Sequence, residues 1–293
     1  MNIQNKTVFL GGDARQHTAA LKLADCGHFV SFFGGDFEKS EKINYFSSFN
    51  DAIKDARIAV LPLPASVDGV KLNAPFLDGD QIELLRIVDA LDADSLLIGG
   101  RIPEKTSQEA EKKGIKVIDY FLSESFQIKN AYTTAEAALC IAMNNLKKNI
   151  KDSRFALTGY GRIAKTLCNL LLKLGASVCV LARKESDLTW ARLAGARTQK
   201  LDSGTINSLK TGYDVIFNTV PTWLFCEDFL VQMSRKTQII DLASSPGGVD
   251  ISAAKRVGAN VIWASSLPGK YAPESAGDLI FECIKEIVSE VDR

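Results

Sequence analysis

A glycine-rich segment in the middle of the chain has the residue types and spacing best suited to binding chemistry. A short apolar run, 154–158, leads into Gly159-Tyr160-Gly161-Arg162-Ile163-Ala164, and helical apolar spacing then continues to residue 174. In a G-x-G-x-x-A turn the first glycine permits the bend, the second lets a phosphate approach the backbone, and the alanine lets the helix pack closely on the strand. Unpaired N–H groups at a helix N-terminus favour an anion. Residues 159–164, the glycine turn, therefore predict a pyrophosphate site, with Gly159, Gly161, Arg162 and Ile163 against it.

Basic residues at the end of the next predicted strand, 177–181, indicate which dinucleotide binds. NAD sites usually carry Asp or Glu there, about 20 residues after the turn begins. This chain has Ala182-Arg183-Lys184 instead. An arginine fork pairs with a 2′-phosphate, which a carboxylate would repel. The sequence favours NADP over NAD, with Arg183 and Lys184 on the 2′-phosphate. The alternative is a solvated basic turn in which Glu185 or Asp187 takes the role of the acid.

Composition restricts the class of protein. The chain has 293 residues, 46% hydrophobic and 24% charged, which is typical of a globular protein and sufficient for two domains. Lys plus Arg and Asp plus Glu number 35 each, so no charge excess indicates nucleic acid or an anionic membrane surface. We find no signal-peptide pattern and no apolar run of membrane-spanning length. We therefore expect a cytoplasmic protein.

The cysteines show no pattern of a metal or disulfide framework. Six are present and no two form a CxxC pair: Cys26, Cys140, Cys168, Cys179, Cys226 and Cys283. Most lie in apolar strand or helix segments, so we expect reduced thiols in the core of a cytosolic protein and no metal site.

The two halves of the chain each alternate strand and helix signals. Strands are predicted at 7–10, 29–33, 58–63, 95–98 and 116–120 in the first half and at 215–220, 238–242 and 260–264 after the glycine turn. Helices are predicted at 15–24, 81–91, 130–146 and 273–291. This alternation predicts parallel sheets covered on both faces, with ligands at the carboxyl ends of the strands.

We therefore predict an α/β protein with two doubly wound parallel-sheet domains. Residues 1–130 would form a flavodoxin-like substrate or partner domain, completed by a C-terminal helix that returns to it over 273–293. Residues 131–272 would form a Rossmann dinucleotide-binding domain, joined to the first by the linking helix 130–146. Either Thr133 or Thr134 is the expected N-cap of that helix.

Loops at the predicted strand ends supply further candidate binding groups. Thr219 and Pro221 would border the nicotinamide ribose, with Ser244 and Ser245 nearby. Arg15, Arg101 and Lys270 would bring positive charge to one cavity and hold the carboxylates of an anionic substrate; Thr133 and Thr134 would add a contact from the helix N-terminus. The alternative for an arginine near a helix start is pairing with a surface carboxylate.

The scarcity of histidine limits the chemistry. Oxidation of an alcohol needs a general base, most often His, yet the chain has only His17 and His28, both in its opening segment. This argues against an ordinary 2-hydroxyacid dehydrogenase. Oxidation of a ring C–H to an aromatic product fits better, because the site then mainly orients the substrate and neutralises its charge.

Several segments together resemble a known family. They are GGDARQ at 11–16, LPLPAS at 61–66, NAYTTAEAA at 130–138, TGYGRIAKTL at 158–167 and LPGKYAPESAG at 267–277. In this order they are similar to the A subunit of bacterial dipicolinate synthase over nearly the whole chain. The resemblance implies NADP-dependent oxidation of dihydrodipicolinate, a small cyclic dicarboxylate, to dipicolinate (pyridine-2,6-dicarboxylate) in the mother cell of a sporulating bacterium. It also implies a partner, the small flavoprotein-like B subunit, and the two-domain layout is often found in homo-oligomers.

Two alternatives to this interpretation stay open. The chain would be a cofactor-binding regulatory or assembly subunit if its partner performs the chemistry, which the missing base motivates. It would be a 2-hydroxyacid-dehydrogenase-like enzyme if Glu or Lys replaced the histidine.

Overall fold

The structure of the chain, a computed structural model, describes residues 6–77, 79 and 81–291. The chain divides into two compact units. The first unit comprises residues 1–130 and 272–293, and the second comprises residues 131–271. Each contains one six-stranded sheet in which all paired strands are parallel.

The two sheets have the same strand order. The first unit contains β1 (Thr7–Leu10), β2 (Val30–Phe33), β3 (Ile43–Phe46), β4 (Ile58–Val60), β5 (Leu96–Gly99) and β6 (Lys116–Asp119), ordered β3-β2-β1-β4-β5-β6. The second contains β7 (Arg154–Thr158), β8 (Ser177–Ala182), β9 (Arg197–Lys200), β10 (Val215–Asn218), β11 (Gln238–Asp241) and β12 (Val261–Trp263), ordered β12-β11-β10-β7-β8-β9. Strand order reverses between β1 and β4 and between β7 and β10, which are the topological switch points where such sheets bind ligands.

The helices complete both units. They are α1 (Ala14–Asp25), α2 (Phe49–Ile53), α3 (Leu84–Ala90), α4 (Glu104–Lys112), α5 (Glu124–Asn145), α6 (Arg162–Lys173), α7 (Glu185–Leu193), α8 (Ser203–Asn207), α9 (Glu227–Gln232), α10 (Ile251–Val257), α11 (Leu267–Tyr271) and α12 (Pro273–Val291). Among the helices of residues 6–77, 79 and 81–291, none combines the length and apolar character that a membrane crossing requires.

Strand alternation places a separate core on each face of each sheet. In β1, Phe9 packs in one cluster with α1 and α12, whereas Val8 and Leu10 pack in the opposite cluster with α2, α3 and α4. In β7, Phe155 and Leu157 lie in one cluster and Ala156 in the other. Successive side chains of a strand point to opposite faces, so continuous apolar runs produce sheets buried on both sides. The prediction of two doubly wound parallel sheets is confirmed.

The C-terminal helix α12 packs against α1, within the first unit, as the sequence predicted. The two helices approach closely at Gly277, where a Cβ atom would lie 2.5 Å from the Cβ of Thr18 and 2.8 Å from the carbonyl oxygen of Arg15. Leu279, Ile280 and Ile284 of α12 are buried in the core beside α1. Gly277 is therefore required for the close contact between α1 and α12.

Two edge strands were not predicted from the sequence. A flavodoxin-like sheet has the order 2-1-3-4-5, and the first sheet extends that order by the edge strand β3. Strand β3 has one buried residue of four, and β9 (RTQK) has none. Strand β9 is exposed and lacks the apolar run by which the other strands were recognised, whereas β3 (INYF) is a four-residue strand with two half-buried side chains, Tyr45 and Phe46.

The linking helix begins earlier than predicted. Helix α5 starts at Glu124, so Thr133 and Thr134 lie in its interior, and the prediction that either caps it or offers a helix-N-terminus contact is wrong. Phe126, only 2% exposed, anchors the first turns in the core of the first unit. This burial favours helix in residues 124–129, for which no helix was predicted.

The cysteines are free, but the prediction that most lie in the core is wrong. Cys168 and Cys179 are buried, Cys283 is half-buried, and Cys26, Cys140 and Cys226 are exposed. The exposed three lie close to helix ends or on the outer face of a helix, where an apolar neighbourhood in sequence does not mean burial.

Candidate dinucleotide site in the second unit

Gly159 forms the bend of the glycine turn at the end of β7. Its φ angle is +88°, a conformation that favours glycine, and its N–H donates to the carbonyl of Leu181 at 2.8 Å. A Cβ atom here would lie 2.5 Å from Thr219 Oγ1. The Thr219 hydroxyl in turn donates to the carbonyl of Thr158 at 2.9 Å. A side chain at residue 159 would therefore break the junction between the ends of β7 and β10.

Gly161 has a different role, because the space beside it is open. It is the N-cap of α6 in extended conformation, no side chain caps the helix there, and nothing lies within 4 Å of the position a Cβ atom would occupy. Ala164, in the first turn of α6, is fully buried in the core beside the sheet. The start of α6 is therefore uncapped and open at Gly161, and the helix packs closely on the sheet at Ala164. Such a helix start fits a dinucleotide pyrophosphate.

Tyr160, between the two glycines, contributes packing. The residue is 5% exposed. Burial, with Cys168 beside it, raises the pKa of Tyr160 to about 12. Its phenol therefore stays protonated at neutral pH and does not serve as a base.

Substituting Gly159 by alanine should destabilise the second unit by about 2–4 kcal/mol, through a left-handed residue and a clash with Thr219. The matched control is Gly195→Ala, since Gly195 has φ +99° but nothing within 4 Å of the point that an alanine Cβ would occupy. The control should lose only about 1 kcal/mol. Urea denaturation measures both, and equal losses would contradict the role assigned to the contact with Thr219.

The basic end of β8 is exposed. Ala182 is buried, whereas Arg183 and Lys184 project to solvent before α7. Arg183 makes no hydrogen bond or ion pair within the described part of the chain. The Glu185 carboxylate accepts from the Arg192 guanidinium within α7. Arg183 is therefore available for a ligand. Of the two acids offered as alternatives, Glu185 already has a partner, whereas the Asp187 carboxylate makes no hydrogen bond or ion pair within the described part of the chain.

Three polar residues that the sequence analysis did not single out lie beneath the site. Thr158, Asn218 and Asp241 are the last residues of β7, β10 and β11, they are paired in register across the switch point, and all are fully buried. The Thr158 hydroxyl donates to Asn218 Oδ1 at 2.6 Å, and Asn218 Nδ2 donates to Asp241 Oδ1 at 2.8 Å. The only sequence signal was a polar residue closing each apolar strand.

The remaining cofactor candidates lie in the loops that follow these strands. Thr219 is half-buried against Gly159, and Pro221 is exposed. Ser244 and Ser245 are in the loop after β11, where the Gly247 N–H donates to the Ser244 carbonyl at 2.8 Å. These loops follow β10 and β11, the two neighbouring strands on one side of the switch point, and the glycine turn follows β7 on the other side.

The corresponding turn of the first unit is closed by its own chain. At Gly11 a Cβ atom would lie 2.8 Å from the carbonyl oxygen of Asn73, which also accepts the Gly12 N–H at 2.8 Å. Helix α1 is capped by the Asp13 carboxylate, which accepts the Arg15 N–H at 3.1 Å. A filled turn and an anionic cap both oppose phosphate binding, so of the two sheets with equal order only the second offers a dinucleotide site within the described residues.

Arg15, the first of the proposed cationic groups, is held in place by its own unit. Its Nε and Nη2 atoms donate to the Asp13 carboxylate, and Nη2 also donates to the Leu63 carbonyl at 2.8 Å. The residue is 8% exposed. Pairing with a carboxylate, the alternative considered for this arginine, is what the structure shows, although these bonds leave Nη1 for another acceptor.

The other two cations are exposed or partly exposed. Arg101 of the first unit has φ +55°, and its guanidinium lies 4.4 Å from the centroid of the Phe121 ring. The backbone N–H of Arg101 donates to the Asp119 carboxylate at 3.1 Å. Lys270 belongs to α11 in the second unit.

Neither histidine is placed as a base. His17 Nε2 lies 2.8 Å from the Tyr45 hydroxyl, its ring stacks on Phe37 at 4.6 Å, and burial lowers its pKa, which keeps it neutral at pH 7. His28 precedes β2, at the amino ends of the strands of the first sheet and away from their carboxyl ends, where ligands bind. The positions of His17 and His28 therefore give neither residue the role of a general base.

Two doubly wound sheets, one with an open glycine turn, define a two-domain α/β fold. A solved L-alanine dehydrogenase has this fold, with a TM-score of 0.64 at 13% identity over 97% of this chain and 90% of that chain. The structure of the dipicolinate synthase A subunit from Bacillus halodurans is more similar, with a TM-score of 0.84 at 24% identity over 98% and 99% of the two chains.

Sequence comparison identifies proteins to which this chain is similar. Residues 6–121 match the family model for the N-terminal domain of the dipicolinate synthase A subunit. The A subunit of dipicolinate synthase from Bacillus subtilis (strain 168) is 26% identical over 98% of this chain and 96% of its own length. Together these matches confirm the resemblance to this family that the sequence motifs indicated.

Proposed function

We propose that this chain oxidises dihydrodipicolinate to dipicolinate with NADP, acting with a B subunit in spore formation. The observation that carries the proposal is the glycine turn of the second unit, open at Gly161 above an uncapped α6, in a chain similar throughout to the A subunit of dipicolinate synthase. The same turn in the first unit is filled. The dinucleotide would therefore be held by the second unit.

Each part of the dinucleotide has candidate partners in that unit. Backbone N–H groups of residues 161–163, including Arg162 and Ile163, would hold the pyrophosphate, and Gly159 would shape the bend. Arg183 and Lys184 would bind the 2′-phosphate, because both are exposed at the end of β8. The loop residues Thr219, Pro221, Ser244 and Ser245 would border the nicotinamide ribose.

The chemistry asked of the side chains is modest. When bound, NADP would accept a hydride from a ring C–H of the substrate, and the second hydrogen that the ring loses would leave as a proton to water. Because the product is aromatic, the chain's own residues mainly need to orient a dicarboxylate and neutralise its charge. Arg15, Arg101 and Lys270 are the proposed carboxylate-binding groups of their respective units. Asp13 and the Leu63 carbonyl hold the Arg15 guanidinium by hydrogen bonds.

The experiment that tests this function is turnover by the purified chain. Mixed with NADP and dihydrodipicolinate, the chain should raise the absorbance of NADPH near 340 nm, and simple 2-hydroxy acids should give no signal. Turnover of 2-hydroxy acids alone would instead support the hydroxyacid-dehydrogenase alternative. Absence of NADP binding by calorimetry would refute the proposed function outright.

A second candidate is a cofactor-binding subunit whose partner performs the chemistry. The observation that favours it is the position of both histidines. His17 is hydrogen-bonded to Tyr45, and His28 lies at the amino ends of the strands of the first sheet. Tight NADP binding without turnover, restored when the B subunit is added, would support this second candidate over the first.

The carboxylate-binding groups can be tested one at a time. Arg15→Ala and Lys270→Ala should each raise KM for dihydrodipicolinate roughly tenfold to 100-fold, because each removes charge-assisted hydrogen bonds of about 1.5–3 kcal/mol. The control is Lys112→Ala, which removes an exposed cation of α4 that pairs with Glu109. Thermal unfolding should be followed in parallel, since Arg15 also partners Asp13. Unchanged KM in both variants would exclude these residues from substrate binding.

A further inference from the structure

We propose that Asn218 and Asp241 are positioning residues that set the two loops, after β10 and after β11, that border the nicotinamide ribose of the bound dinucleotide. This inference rests on the proposed function, because it assumes that the second unit binds NADP. The two residues close β10 and β11 in register with each other, and Asn218 is also in register with Thr158 of β7. Each therefore immediately precedes a loop of the candidate site.

Asn218 bonds to the loop after β10 through both ends of its amide. Its Oδ1 accepts the Val220 N–H at 3.1 Å as well as the Thr158 hydroxyl, and its Nδ2 donates to the Val220 carbonyl at 3.1 Å. These partners fix which end of the amide is oxygen. Thr219 and Pro221, the neighbours of Val220, are the candidates for the nicotinamide ribose. One side chain thus sets the conformation of that loop.

Asp241 bonds to the loop after β11 in the same way. Besides the Asn218 amide, its carboxylate accepts the Ala243 N–H at 3.1 Å and the Gly248 N–H at 2.8 Å. These two residues bracket Ser244 and Ser245. The loop also packs closely against Asn218, since a Cβ atom at Gly248 would lie 2.1 Å from Asn218 Nδ2.

The burial of these groups indicates a role beyond filling the core. Both side chains have no exposed surface, and no ion pair within the described residues involves Asp241, so neutral donors alone solvate its carboxylate. A buried charge held this way is costly unless every bond is made. Apolar residues would pack the strand ends but could not fix two loops at once. The Asn–Asp pair therefore couples the geometry of both loops.

The decisive variant is Asn218→Asp, which keeps the shape and the acceptor oxygen but replaces the donor to Asp241 with a second carboxylate oxygen. Two adjacent buried carboxylates cannot both be ionised cheaply, so one of them takes up a proton at low pH and restores the donor. Relative to wild type, the Kd for NADP should rise roughly tenfold or more between about pH 6.5 and about pH 8.5. Calorimetry measures this.

The matched control is Asn169→Asp, which adds the same charge on the exposed face of α6. Its pH dependence should follow wild type. The double variant Asn218→Asp with Asp241→Asn contains only one carboxylate, so the added pH dependence should disappear. If it persists in the double variant, or if Asn218→Asp follows the control, the proposal is overturned.

Folding is measured on the same samples by urea denaturation. If Asn218→Asp is unfolded at the higher pH, the NADP affinity of Thr158→Val tests the proposal instead, because this substitution removes only the hydroxyl that donates to Asn218. That variant should bind NADP about threefold to tenfold more weakly, and wild-type affinity in it would overturn the inference. Wild-type protein that binds no NADP would instead signal failure of the proposed function, so the two failures are distinct.

Discussion

Replacing Gly161 by serine should weaken NADP binding by at least about 100-fold while changing the free energy of unfolding by less than about 0.5 kcal/mol. Serine is a favourable N-cap, and Gly161 has an ordinary negative φ of −79° with open space beside it. The new hydroxyl would occupy the space of the pyrophosphate and accept from the helix N–H groups that should bind it. Calorimetric titration with NADP and urea denaturation measure the two quantities.

The control for this variant is Gly204→Ser, which adds the same group at the exposed start of α8. It should bind NADP as wild type does. If Gly161→Ser retained wild-type affinity, the open side of the glycine turn would not be where the phosphates lie.

Replacing Arg183 by alanine should raise the Kd for NADP roughly tenfold to 100-fold and leave the Kd for NAD within about twofold of wild type. The expected loss is that of charge-assisted hydrogen bonds to the 2′-phosphate, the only group that distinguishes the two nucleotides. Arg183 is exposed at the end of β8 and has no partner in the described chain, so its removal costs the fold little. Parallel titrations with both nucleotides provide the measurement.

Glu185→Gln serves as the control for Arg183→Ala. Its carboxylate is bonded to Arg192, so neither affinity should change by more than about twofold. Tighter binding of NAD than of NADP by wild type, together with weakened NAD binding in Glu185→Gln, would contradict the preference for NADP and assign the ribose to the acid.

Much of the architecture could be predicted because the strands of these sheets are buried on both faces. Segments such as 7–10 and 215–217 are continuous apolar or β-branched runs that are followed by glycine or a polar residue, and that pattern can be recognised without tertiary information. The glycine turn was also predictable, since its function depends on residues local in sequence. Gly277, by contrast, was recognised as part of a motif, and only the contact with Thr18 explains it.

What escaped prediction depends on contacts between distant residues or on weak local signals. Strand β9 is polar because it is exposed at an edge, and α5 starts at Glu124 because Phe126 is buried in a core assembled from other elements. Arg15 looked like a free cation, yet the helix start also brings Asp13 to its guanidinium. The bond between Asn218 and Asp241 joins residues on two different strands, which no local pattern reveals.

We expect the second unit to bind NADP at the glycine turn. A crystal structure of the protein grown with NADP would show directly where the nucleotide lies. The pyrophosphate should lie over residues 159–164, at the start of α6, with the 2′-phosphate beside Arg183. Nucleotide density elsewhere on the chain, or a glycine turn covered by protein with no nucleotide bound at saturating NADP, would contradict this expectation.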